Sequence, residues 1–203
     1  MPRYRAHIAL TVWPITALLV LEPARMWPAL DGASSFAAAS PVTWTALLVY
    51  TVVVVLSLAA YARGWSLLSL GSPTGAGPYR TEGCRRLQKL AGGLAWALVV
   101  AHLALQWSMS IRVGPVALSQ YELMRGFFSR PPVLGFYVIG LAALGLFLSQ
   151  GVAATLREWG GARSPETSRW LEVGCTVASA GVMLVAINVL SHFVTGRAYW
   201  MGP

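Results

Sequence analysis

The sequence predicts an all-α polytopic membrane protein built as a bundle of five transmembrane helices. Three observations carry that expectation. Of 203 residues, 56% are hydrophobic and 11% charged, whereas a soluble domain carries about 25% charged residues. Four apolar runs, residues 43–62, 87–109, 133–156 and 171–194, have the length of roughly 20 residues that crosses a hydrocarbon core. Most tryptophans, among them Trp13, Trp27, Trp44, Trp65, Trp107, Trp159, Trp170 and Trp200, flank these runs, at the depth where indoles favour the membrane interface.

A fifth, shorter apolar run covers residues 8–21 and ends at Glu22-Pro23. Its length also suits the core of a secretory leader, with Arg3 and Arg5 as the charged head and residues 37–40 as the cut. Those small residues lie far beyond the run, which favours a retained first helix over about 8–30. The second helix is expected over 43–63 and is broken from the third by Gly71-Ser-Pro-Thr-Gly-Ala-Gly-Pro, turn chemistry throughout. The third, over 87–109, contains Gly92-Gly93. Residues 114–132 hold Tyr121-Glu-Leu-Met-Arg-Gly-Phe-Phe, expected as a short amphipathic or re-entrant helix closed by Pro131-Pro132. The fourth helix, over 132–156, contains Gly135 and Gly140; small residues inside a span let helix backbones approach. Ser164-Pro-Glu-Thr is a start signal for the fifth, over 170–195. The chain reads as one membrane domain, 1–203.

Charge sets the expected topology. With five spans, Arg3, Arg5, Arg63, Arg80, Arg85, Arg86, Lys89, Arg157, Arg163 and Arg169 fall on one side. Arg25, Arg112, Arg125, Arg130 and Arg197 fall on the other. The positive-inside bias puts the first side, with the amino terminus, in the cytoplasm. The net charge of +8 is then interfacial, and no basic stripe with interleaved aromatics points to nucleic acid. Cys84 and Cys175 have no ligand-like spacing, and a reducing compartment disfavours a disulfide between them.

No nucleophile–base set, phosphate-cradling loop or HExxH motif is present. Of the seven acids, six belong to loops or helix ends. Glu22 closes an apolar run, and an ionisable group at membrane depth is a functional candidate. Histidine is scarce: His7, His102 and His192 are all there are. His102 lies fifteen residues past Leu87, roughly 22 Å along a helix, where its ring nitrogens need a metal or hydrogen-bond partners. A bis-histidine haem needs two rings on one iron, and only His102 and His192 share a depth.

From Tyr79 onward the chain resembles the five-helix, single-chain cytochrome b anchor of succinate:quinone oxidoreductases and fumarate reductases. Leu87-Gln-Lys-Leu-Ala-Gly-Gly with Val-Ala-His102-Leu is similar to the family's third helix and its haem-ligand segment. The run from Tyr121 to Gly140 resembles its outer loop and the opening of its fourth helix. Leu146-Phe-Leu-Ser-Gln-Gly-Val-Ala-Ala-Thr-Leu-Arg-Glu-Trp-Gly resembles that helix's cytoplasmic exit. Arg5-Ala-His7 and Val12-Trp-Pro14 echo the first helix.

The family places one haem-ligating histidine on each of its first four helices, pairing helices one and three for an outer haem and two and four for an inner one. By position, Glu22, Ala60 or a neighbour, and Phe147 stand where three ligands would be, and only His102 remains. The resemblance therefore implies no haem b, or at most one, held by His102 with Glu22 or His192. It also implies a quinone, menaquinone as first expectation, at the cytoplasmic end, where His7, Arg85, Gln88, Lys89 and Trp159 are the candidate contacts. FAD and iron–sulfur clusters would belong to partner subunits, a flavoprotein and an iron–sulfur protein of a succinate dehydrogenase-type complex in the respiratory chain and tricarboxylic acid cycle, so the chain would not be catalytic alone. The rival expectations are an anchor-derived scaffold without haem or quinone, and a small transport subunit, for which no span carries a paired charge lining a pathway.

Overall fold

The computed structural model of the chain describes residues 2–39, 44–69, 82–113, 117–161 and 164–196. Among these every regular element is helical: α1 (Pro2–Met26), a 3₁₀ turn (Trp27–Asp31), α2 (Ala33–Ala39), α3 (Trp44–Ser69), α4 (Glu82–Val113), α5 (Ala117–Phe128), α6 (Pro131–Glu158) and α7 (Pro165–Thr195). The all-α expectation holds. Four helices are long and apolar enough to cross a membrane, within Trp44–Arg63, Arg86–Arg112, Pro131–Arg157 and Pro165–Thr195. The protein is thus a multi-pass membrane protein.

The first helix, expected over about 8–30, both starts and ends earlier: α1 runs from Pro2 to Met26 with Pro14 and Pro23 inside, and a 3₁₀ turn follows it. Neighbouring helices tolerate such prolines in a bundle by covering the freed backbone. At 25 residues it is about 37 Å long, enough to span, but Arg3, Arg5, Glu22 and Arg25 keep its composition apart from the other four. Its buried residues Val12, Ile15, Leu19 and Met26 face the bundle.

Side-chain contacts fix the directions. Trp13 of α1 stacks on Trp159 at the end of α6, while Glu22 lies beside His102, which bonds Tyr137 near the start of α6. Tyr61 near the end of α3 meets the Lys89 carbonyl of α4, and Thr51 near its start accepts from Trp107. Helices α1, α4 and α7 therefore run one way, with α3 and α6 antiparallel between them. The end holding the start of α1 is called the N-end below.

Residues 114–132 do contain a helix, α5, but Pro131-Pro132 open α6 rather than close α5. Proline suits that first turn, where its missing N–H costs nothing. Ser164 starts α7 as expected, its Oγ accepting from the Thr167 N–H at 3.1 Å. Gly196 (φ 71°) ends that helix by donating to the His192 carbonyl. The short helix α2 had no counterpart in the sequence reading, and the link over residues 71–79 lies outside the described residues. With α5, α2 caps the end opposite the N-end: Phe36 and Tyr121 pack on Phe193 at ring separations of 6.2 and 5.2 Å.

The glycine pairs split by face. A Cβ on Gly92 would meet Tyr61 Oη at 2.6 Å, and one on Gly140 would meet Leu98 Cβ at 2.9 Å, whereas Gly93 and Gly135 face open space. Gly140 is where α4 and α6 touch, so Gly140→Ala is expected to cost about 1–3 kcal/mol by forcing the helices apart. Gly93→Ala should be neutral. Unfolding of both variants in mixed micelles against rising dodecyl sulfate checks this.

Candidate functional site

Polar side chains from α1, α3, α4 and α6 converge inside the bundle, nearer the capped end. Glu22 Oε2 accepts from Arg25 Nη2 at 2.9 Å and Nε at 3.2 Å, a pair one turn apart on α1. The same Oε2 lies 4.0 Å from His102 Nε2. His102 is held from two sides: Gln106 Nε2 at 3.2 Å from Nε2, and Tyr137 Oη at 3.3 Å from Nδ1. With the Gln106 amide donating, the neutral ring carries its proton on Nδ1 and donates it to Tyr137. Glu22, Tyr50, His102 and Tyr137 border a cavity of about 120 Å³ whose other walls are apolar, such as Ile15, Leu98 and Leu190.

A second level lies one helical stretch closer to the N-end. Phe147 is 3% exposed, its ring 6.1 Å from that of Tyr61, which sits 5.7 Å from Trp96. Gly92 lets these rings reach the α4 backbone. Ala60, beside Tyr61, is half-buried.

These are the two depths at which the resemblance would seat haems. At the level of Phe147 the residues do not fit one: Phe147 and Ala60 offer no ligand atom, and three aromatic rings fill the space. At the level of His102 both ring nitrogens are engaged, Glu22 is paired with Arg25, and the cavity is well below the roughly 300–1,000 Å³ typical of cofactor sites. No group of three or more His, Cys, Asp or Glu suited to a metal occurs among the described residues.

The structure brings Glu22 rather than His192 to His102. His192 is buried in the aromatic cap, with Nε2 3.3 Å from Tyr121 Oη, and does not line the cavity. Of the N-end candidates, Gln88 is buried and donates to the Phe147 carbonyl at 2.8 Å; it is a strut between α4 and α6. Lys89 is half-buried, its carbonyl accepting from Tyr61. Trp159 is exposed, its ring 6.2 Å from Trp13 and nearly parallel to it. His7 lies on α1 and Arg85 on α4, with side chains outside the described ones. Cys84 and Cys175 are half-buried and form no disulfide among the described residues. Also at the N-end, Arg157 Nη1 binds Glu172 Oε1 at 2.6 Å across α6 and α7.

The sequence reading missed Arg25, Tyr50, Gln106 and Tyr137. Two had a signal: Glu22 and Arg25 stand three apart, His102 and Gln106 four apart, both same-face spacings. The tyrosines had none, because only the packing of α3 and α6 against α4 aims them inward. Glu22 and Arg25 do form a charged pair within α1.

No protein-family profile, characterised protein or solved structure matches this chain.

Proposed function

We propose that the chain is the membrane-anchor subunit of a succinate dehydrogenase-type complex. It docks an iron–sulfur subunit, and through it a flavoprotein, at a cytoplasmic N-end in a bacterial inner membrane, and it passes electrons there to a quinone without haem. One observation carries the reading. The positions that the resemblance pairs on helices one and three are neighbours across α1 and α4, Glu22 with His102 at 4.0 Å. Those it pairs on helices two and four meet across α3 and α6, as Phe147 packs on Tyr61, the neighbour of Ala60. Two pairings at two depths, on four different helices, are a specific demand on a bundle.

Haem-free transfer accords with the same residues: one level is filled by rings, and at the other His102 is spent on Gln106 and Tyr137. Quinone chemistry then belongs near the partner's cluster, since His102 stands roughly 20 Å from the N-end.

The test is to purify the chain from its own membranes through a tag, and assay for flavoprotein and iron–sulfur subunits and for the reduced-minus-oxidised spectrum. Flavin and iron–sulfur clusters should co-purify, with no b-type band. Absence of both partners overturns the anchor assignment. A spectrum of two haems per chain overturns the haem-free mechanism.

A further inference from the structure

Helix α7 packs along α6, and α1 packs on α3 and α6, but α1 and α7 meet far less. The wedge left between them is a cleft floored by Leu148 and Val152 of α6. One lobe, of about 430 Å³, lies between Thr16 and Val20 of α1 and Cys175 and Ala178 of α7. A second lobe, also about 430 Å³, continues past Pro23 and Trp27. The lobes share Val20 and Val182 as lining residues, so they adjoin along one seam. Its walls run from Trp170 to Val185 on α7, a distance of about 22 Å at 1.5 Å per residue.

Such walls give water almost no hydrogen-bond partner, so at membrane depth the cleft takes hydrocarbon. Its length selects which. A phospholipid acyl chain stays within its leaflet, about half of a ~30 Å core, and cannot run through both lobes. An isoprenoid chain can. Trp170 lines the N-end of the cleft, and two further indoles stand beyond it. Trp13 lies one turn from Thr16 on the same face of α1, Trp159 two turns from Val152 on the same face of α6, and their rings stack.

We propose that the α1–α7 cleft seats the isoprenoid tail of a membrane quinone and delivers its ring to the Trp13–Trp159 stack. This rests on the anchor reading above and sharpens it. Among the N-end candidates it assigns Trp159 to the quinone ring and leaves Gln88, enclosed between α4 and α6, as a structural strut.

The experiment has two arms. In the purified complex, Ala178→Phe sets a ring into the cleft at an exposed position without touching Trp159. The KM for a long-tailed quinone should rise roughly tenfold, about 1.4 kcal/mol. Turnover of the tail-less ring analogue and of a soluble artificial acceptor should not change. An unchanged KM for the long-tailed quinone overturns the proposal. In the second arm the full chain alone, in vesicles, is photolabelled by a quinone with a photoreactive tail. Label should appear on α1 and α7 and be displaced by unlabelled long-tailed quinone. Label elsewhere, or displaced equally by added phospholipid, overturns it. A wild-type complex without any quinone turnover would instead refute the anchor reading, while the labelling arm still reports on the cleft.

Discussion

Phe147→Ala is expected to destabilise the bundle by about 2–3 kcal/mol. In a water-soluble core such a truncation costs about 3–5 kcal/mol. Here the transfer part largely drops out, because the unpacked ring would pass from one apolar medium to another. What remains is lost packing, since a void has no atoms on one side to supply dispersion contacts. Phe147 has little room to be replaced by its neighbours: it is 3% exposed, and two of its ring carbons already come within 3.0 Å of where a Cβ on Gly92 would lie. Dodecyl sulfate titration in mixed micelles, followed by circular dichroism, should show the midpoint fall, and Phe147→Leu should recover most of it. An unchanged midpoint for Phe147→Ala would mean that the rings of α3, α4 and α6 do not hold this level together.

How much of this was legible depends on which property each residue type reports. Hydropathy sees transfer out of water, so the four long spans were plain from the sequence. It does not see whether an apolar face meets lipid or protein, because in these helices all sides are apolar. Gly92 and Gly93 are adjacent and equally small, yet only Gly92 meets a neighbour. Local chemistry read well where it is self-contained, as at Ser164, whose hydroxyl caps its own helix. It failed at Pro131-Pro132, expected to close one helix, because proline is as well suited to the first turn of the next. The candidate site was legible at Glu22 and His102, whose ionisable side chains are conspicuous in apolar runs. Arg25 entered only the count of charges on one side of the membrane, and its place one turn from Glu22 went unused. Tyr50 and Tyr137 gave no sign, because a tyrosine near a span end reads as an interfacial anchor unless a partner on another helix is known. The Trp13–Trp159 stack was half legible: both rings were placed at the interface, but their meeting needs α1 and α6 side by side.

Glu172→Ala is expected to cost about 2–3 kcal/mol and to loosen α7 at the N-end. Breaking a buried ion pair costs about 3–5 kcal/mol, because the remaining charge is left desolvated. The side chains of Arg157 and Glu172 are 14% and 17% exposed, so some reach to interfacial water lowers the figure. The partner left behind is poorly provided for. Arg157 Nη1 has only Ser168 Oγ at 3.4 Å besides Glu172, and its Nε and Nη2 are buried without a hydrogen-bond partner. If desolvation rather than attraction dominates, removing both charges should restore most of the loss, so Arg157→Met with Glu172→Leu should unfold near the wild-type midpoint. Equal stability of Glu172→Ala and wild type would mean that the pair is screened and contributes nothing. The pair also tests the cleft independently of any ring placed in it. It pins the start of α7 to the end of α6, beside Trp170 and Leu171 at the mouth of the cleft. Glu172→Ala should therefore weaken displacement of the photoreactive quinone by its unlabelled long-tailed competitor, and the double variant, with α7 pinned by packing alone, should bring it back.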